Sequence, residues 1–412
     1  MKKNLFFELL NEGRISNIIS ALQNIYNCKN ISDIPTKDKL LALCDCLKLS
    51  VVEFDTMIAE NSPVLRTVKG HAFEVALQHL LELKGIAVSD IGGDSNIDLT
   101  VNGHQLQLKT PNIGGTTETE VEYKTHKTHG AKSEKESMEY YHTINSFADY
   151  FVGLVSYSPF QVFIIPKEKL ERHSLNNSYI QSPFKIQIKD NPYLNNFKQI
   201  GIIFDNSETS CIEPFKQELM PLTSHKIGIN SKIILDTILR NCNFRIWDMS
   251  IRGFAREVAL KSFLDNQNIN YSNKPTELRK KRGDKSDLAI KKYNGEYIFI
   301  QVKGISTNNC IFNKENSIIA TETQLTRGRV NDHPTQSRLY LETDFDYLLL
   351  CLDPPISYMV GIGEKWIFCI ISSSKLKKHS KITNRFNSLQ KFTLQELLKH
   401  EMTIKSLMEM LS

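Results

Sequence analysis

The segment Gly70-His71-Ala72-Phe73-Glu74-Val75-Ala76-Leu77 returns later in the chain as Gly253-Phe254-Ala255-Arg256-Glu257-Val258-Ala259-Leu260, with six of eight positions unchanged. An internal repeat constrains a fold more than composition does, because each copy should build the same structural unit. A match this short arises by chance in roughly one chain of this size in ten, so the residues that follow each copy carry the argument. Both copies read as the first turns of an amphipathic helix.

The first helix is expected over residues 70–84, with Gly85 as its left-handed stop. Gly92-Gly93-Asp94 then makes a turn, a strand starts over residues 97–101, and Asn102-Gly103 is the strongest short hairpin signal. The return strand, residues 104–109, alternates strictly. Gln105, Gln107 and Lys109 therefore share one face, with Leu106 and Leu108 on the other. The second copy repeats this order. Gly283-Asp284 through Ile290 parallels residues 93–101, Asn294-Gly295 repeats the turn, and the strand over 297–303 ends in the same Gln-x-Lys. Residues 346–351 match 149–154, residues 367–371 echo 162–165, and Lys375-Leu376 echoes Lys169-Leu170. Matched elements in one order identify two copies of one α/β unit.

Polar groups converge in each copy. Asp98 sits near the start of one strand, Gln107 and Lys109 near the end of its hairpin partner, and Glu74 on the helix before them. Asp287, Gln301, Lys303 and Glu257 repeat that set. Carboxylates and an amide oxygen beside an ammonium group suit a hard cation. Mg²⁺ keeps several waters, so two carboxylates plus a substrate phosphate suffice to hold it.

With Gly70-x-x-Phe73-Glu74 upstream, Asp98…Gln107-Leu108-Lys109 resembles the PD-(D/E)xK nuclease superfamily of restriction endonucleases. The Gln-x-Lys form is similar to the Mrr-type branch, and Leu108-Lys109-Thr110 is similar, more faintly, to the mismatch-repair branch. The chain departs from the family pattern at Gln107 and Gln301, which replace the usual second carboxylate and place more weight on Glu74 and Glu257. The resemblance implies two tandem restriction-endonuclease-like domains, each a central mixed sheet flanked by helices. It implies Mg²⁺, with Mn²⁺ as a substitute, bound by Glu74 and Asp98 and by Glu257 and Asp287. Gln107 and Gln301 would complete the oxygen set or orient water, Lys109 and Lys303 would support the attacking hydroxide, and the products would carry 5′-phosphate ends.

Basic segments lie near both sets. Lys124, Lys127 and Lys132 follow the first, Arg279, Lys280, Lys281 and Arg282 precede Asp287, and Arg327 and Arg329 follow the second strand pair. Such runs are ordinarily solvated faces; beside a nuclease site they are expected to contact DNA phosphates. His126 and His129 do not suggest zinc, since no cysteine or carboxylate cluster joins them.

The domain reading is a helical region over 1–69, a first domain over 70–205, a connector over 206–245, a second domain over 246–400 and a helical tail over 401–412. Helices over residues 36–47 and from 51 on, broken by Lys48-Leu49-Ser50, outline a helix-turn-helix. The turn lacks glycine and the second helix is not basic, which favours a helical lid on the first domain. Further helices are expected over 138–147, 166–173, 214–219 and 233–239, the last leading into the second domain.

Hydrophobic content of 41% and charged content of 24% are those of a soluble globular protein. No window approaches eighteen apolar residues, residues 1–8 lack the apolar core of a signal peptide, and none of the eight cysteines forms a CxxC pair. These point to reduced thiols and a cytoplasmic protein with no membrane partner. The expectation is a restriction-type, metal-dependent endonuclease on double-stranded DNA with a separately encoded methyltransferase. Its two sites would act as a pseudo-dimer in a monomer, the alternatives being a homodimer, a single catalytic domain, or a non-catalytic DNA-binding module.

Overall fold

The computed structural model describes residues 3–10, 13–90, 97–125, 141–240, 245–279, 286–313, 316–324 and 339–412. It divides into two compact α/β units. The first holds Pro35–Lys37 and Val51–Ile246; the second holds Met1–Ile34, Asp38–Ser50 and Trp247–Ser412.

The opening helices α1 (Lys3–Leu9), α2 (Ile15–Tyr26) and α3 (Thr36–Leu47) belong with the second unit. Trp247 Nε1 donates to Gly13 O at 2.8 Å, Trp366 Nε1 donates to Leu47 O at 2.8 Å, and Arg14 Nη2 donates to Asn308 Oδ1 at 2.6 Å. The region over 1–69 is thus not one piece. Helix α4 (Val51–Glu60) falls in the first unit, and the expected helix-turn-helix is split between the two at Lys48-Leu49-Ser50.

In the first unit, helix α5 runs Ser62–Leu83, starting earlier than its expected first residue, Gly70. Asn61 accepts from Val64 N at 2.9 Å and Pro63 lies in the first turn, a strong helix start that the apolar pattern from Gly70 onward obscures. Gly85, at φ +67°, ends the helix as expected. The strands are β1 (Val88–Asp90), β2 (Leu99–Val101), β3 (His104–Lys109), β4 (Glu120–Tyr123), β5 (Tyr150–Tyr157), β6 (Phe160–Pro166), β7 (Arg172–His173), β8 (Asn176–Ile180) and β9 (Phe184–Gln187). Five of them form a sheet of order β1-β2-β3-β5-β6, in which only β3 and β5 run parallel. Asn102 and Gly103, both at positive φ, join β2 to β3 in a two-residue turn.

Helices α6 (Asn206–Thr209), α7 (Pro221–Ile227) and α8 (Ser231–Ile238) complete the first unit. Of the expected connector over 206–245, the described residues 206–240 and 245 cluster with this unit. Met220, Ile227, Ile229, Ile233 and Ile234 are buried, and Asp55 accepts from Leu222 N and Thr223 N, each at 2.9 Å. The expected helix over 214–219 is absent; the chain becomes helical only where Pro221 fixes the first turn. The expected helix over 138–147 falls partly outside the described residues, and its described end is one 3₁₀ turn, Ile144–Ser146. That over 166–173 is also a 3₁₀ turn, Lys167–Lys169, because Leu170 turns into the core before β7.

The second unit repeats the plan with α9 (Arg252–Asn266), β10 (Tyr271–Ser272), α10 (Pro275–Arg279), β11 (Leu288–Lys291), β12 (Tyr297–Gly304), β13 (Ile318–Glu322), β14 (Tyr347–Leu352), α11 (Pro354–Met359), β15 (Ile367–Ser372), β16 (Leu389–Thr393), α12 (Leu394–Leu398) and α13 (Ile404–Leu411). Its sheet order is β10-β11-β12-β14-β15, and only β12 and β14 run parallel. The register repeats residue for residue, with Gln107 opposite Phe151 and Gln301 opposite Leu348, each one step beyond a tyrosine at the head of the neighbouring strand. A side pair outside the sheet recurs too, β4 with β9 and β13 with β16. The hairpin between β11 and β12 differs in having a longer loop, closed by Lys292 N donating to Glu296 O at 2.7 Å. The expected helical tail over 401–412 carries α13, and Met402, Leu407 and Leu411 are buried in one core with Leu260, Leu264 and Ile300.

Candidate active site

The same hydrogen-bond frame holds the polar set in both units. Asp98 lies just before β2, where its backbone N–H donates to Leu106 O at 2.9 Å. Its Oδ2 accepts from Leu108 N and from Gln107 Nε2, both at 2.6 Å. Asp287 precedes β11, donates its N–H to Ile300 O at 2.9 Å, and accepts on Oδ2 from Val302 N at 3.0 Å and from Gln301 Nε2. An ionised carboxylate can only accept, so each glutamine must turn its NH₂ toward the aspartate. Gln107 and Gln301 are both 2% exposed rather than displayed on an open strand face. A central strand in a covered sheet buries residues of both parities.

Matched aspartates overlooked by the motif reading brace the frame. Asp149 Oδ2 accepts from Gln105 N at 3.0 Å, and Asp346 Oδ2 accepts from Phe299 N at 2.8 Å, fixing the register of the lysine-bearing strand in each unit.

The electrostatics separate the copies. In the second, burial raises the Asp287 carboxyl to about 6, with Glu257 pushing in the same direction while the Val302 N–H, Lys303 and Arg256 oppose it. Burial likewise raises Glu257, against Lys261 and Arg256, and lowers Lys303, against Asp287. Asp287 is thus within electrostatic reach of both Glu257 and Lys303. Lys303 Nζ donates to Gln324 O at 3.4 Å and lies 5.2 Å from the centre of the Tyr340 ring. In the first copy burial raises Asp98, while Lys109, its hydrogen bonds and Arg240 lower it. Arg240, which no motif flagged, places Nη1 2.8 Å from Glu74 Oε2.

Arg256 was hidden inside the repeat as one of its two mismatches. Its guanidinium packs where a side chain at 304 would sit, so Gly304 stands where the first copy has Thr110. The Arg256 Nε is buried with no hydrogen-bond partner among the described residues, a cost of the kind retained at working sites.

The second copy fits a hard divalent ion. Glu257 and Asp287 repel each other, and Gln301 Oε1 is buried without a hydrogen-bond partner among the described residues, an oxygen that a cation would satisfy. Among the described residues no three His, Cys, Asp or Glu side chains gather into a metal cage. Any ion here would have few protein ligands, completed by water and phosphate. The first copy does not fit in the same way, because a guanidinium already holds Glu74.

A cleft of about 260 Å³ opens over the first site, lined by Arg66, Thr67, Gly70, His71, Glu74, Lys109 and Thr110, among others. A side chain at Gly70 or Gly253 would meet no protein atom within 4 Å. Two glycines kept inside helices with open space above them leave room for a ligand. Gly70→Ala and Gly253→Ala should therefore each stabilise the fold, by about 0.5–1 kcal/mol, while weakening DNA binding; denaturant melts and a gel-shift titration check both halves.

Of the expected DNA contacts, Lys124 is exposed just after β4, and Arg279 ends α10. Lys127, Lys132, Lys280, Lys281, Arg282, Arg327 and Arg329, with His126 and His129, lie outside the described residues. Among the described residues no helix is long and apolar enough to cross a membrane. Compared with protein-family models, curated proteins and solved structures, the chain matches none.

Proposed function

We propose that this chain is a Mg²⁺-dependent, restriction-type DNA endonuclease of the PD-(D/E)xK kind. The observation that carries the reading is one constellation recurring in two diverged units. In each, an aspartate at a strand head is braced by a Gln amide and a backbone N–H, with a strand-end lysine nearby; the helical Glu257 acts on Asp287, and the helical Glu74 lines one cleft with Lys109. Glu257 and Asp287 would hold the ion, helped by Gln301 Oε1. A bound Mg²⁺ supplies neutralisation of the phosphate and a water acidic enough to attack near neutral pH. Lys303 orients that water and meets the charge that develops during in-line displacement, leaving 5′-phosphate ends. The substrate is double-stranded DNA, and a separately encoded methyltransferase would protect the host's own sites.

Two readings of the pair compete. A pseudo-dimer, each unit cutting one strand, is favoured by the shared constellation; a single cutting unit is favoured by the Arg240–Glu74 pair. Supercoiled plasmid with Mg²⁺ tests the proposal and separates the two. Cleavage should require the metal and give 5′-phosphate ends, and no cleavage with Mg²⁺ or Mn²⁺ despite salt-sensitive DNA binding would sink it. With one cutting unit, Lys303→Ala removes nicking and linearisation together while Lys109→Ala keeps kcat. With a pseudo-dimer, each variant leaves nicked circles.

A further inference from the structure

We infer that the cleft over the first copy is a metal-free site for a backbone phosphate of DNA, with Arg240 in place of a divalent ion; this rests on the nuclease reading for its choice of ligand. The geometry of the walls carries it. Glu74, the one carboxylate lining the cleft, is already paired, with Arg240 Nη1 at 2.8 Å and His71 Nδ1 at 3.9 Å. The Arg240 side chain is only 12% exposed, so this cation is built into the fold. Arg240 also acts on Asp98, and so compensates both acids that would otherwise share an ion. Among the described residues the second copy has no such pairing, and Glu257 instead pairs with Lys261, one turn along the same helix at 3.8 Å, with Glu257 43% exposed.

With its acid neutralised, the cleft presents cations and hydroxyls. Arg66 and Lys109 line it, and among the described residues neither makes a hydrogen bond or an ion pair. Thr110 adds a hydroxyl, while Thr67 Oγ1 already donates to Pro63 O at 2.9 Å, and Gly70 leaves the space above the helix open. Two cations, of which Lys109 also acts on Asp98, with the Thr110 hydroxyl around a cavity of about 260 Å³ suit a tetrahedral oxyanion. On a protein that grips duplex DNA, this is a phosphodiester contact that adds affinity without sequence information.

The test uses the full chain. In EDTA, duplex binding is followed by fluorescence anisotropy across a salt series. Lys109→Ala and Arg66→Ala should each weaken binding to unrelated sequences alike and lower the slope of log affinity against log salt by about 1. Bound Mn²⁺ is counted by electron paramagnetic resonance. One ion per chain is expected, lost in Asp287→Asn, kept in Asp98→Asn, and joined by a second in Arg240→Gln. Two ions in the unaltered chain, one of them lost in Asp98→Asn, overturn the inference and leave the nuclease reading standing. Unchanged salt slopes overturn it too, and if inorganic phosphate then raises the melting temperature the cleft belongs to free phosphate. No ion in any variant, with the slope changes intact, sinks the nuclease reading while the phosphate site survives.

Discussion

Asp287→Asn should lower Mg²⁺-dependent cleavage by on the order of 10³-fold, the scale on which loss of one charge-stabilising group is felt. The substitution keeps the shape of the side chain and an acceptor for Val302 N, so the frame at the head of β11 survives. It removes the charge around which the second site is assembled. Glu257→Gln should cost nearly as much, because Gln301 offers only a neutral oxygen and leaves Asp287 as the one remaining carboxylate of the proposed ion site. Asp98→Asn should cost far less. Single-turnover cleavage of a radiolabelled duplex, with circular dichroism to verify folding, measures all three. Equal losses for Asp98→Asn and Asp287→Asn would mean that both units cut.

The same substitution should make the metal-free protein more stable. The folded-state value of Asp287 is raised, to about 6 from an ordinary 3.8. A raised carboxyl favours the folded state while it is protonated, fully so below its unfolded value, and that contribution is lost as pH rises through about 6. At pH 7 the ionised group is a liability that asparagine lacks. A shift of this size corresponds to about 3 kcal/mol, but Asp287 is exposed as a residue, with only its carboxylate turned in toward Gln301 and Val302 N. Solvent screening reduces the expected gain to about 1–2 kcal/mol. In EDTA, Asp287→Asn should melt above the unaltered protein at pH 7, and the two should converge below about pH 4. A gap that widens as pH falls would refute the assignment. Stability gained where activity is lost is the usual mark of a working residue.

Much of this was legible in the sequence because it depends on local pattern. The period of two in β3 and β12, the turn at Asn102-Gly103 and the stop at Gly85 need no distant partner, and the order of repeated elements predicts the repeated sheet. The recurring Asp, Gln and Lys foretold which groups would meet. What escaped lies in tertiary contact. Arg240 follows a helix read as leading to the next domain, and nothing nearby hints that it returns to Glu74, 166 positions earlier. Arg256 looked like noise in the repeat until Gly304 appeared beside it. The expected helix over 166–173 failed because a charged, helix-compatible composition says nothing about Leu170 needing to enter the core.

The placement of the opening helices bears on how the molecule is made. Arg14, Gly13 and Leu47 find their partners at Asn308, Trp247 and Trp366, so these contacts of the opening helices wait for chain made between 234 and 319 residues later. At 5–20 residues per second that wait lasts on the order of 10–60 s. The first unit, continuous from Val51 to Ile246 apart from a three-residue outlier, can close during that interval. The second closes only once β14 to β16 have been made.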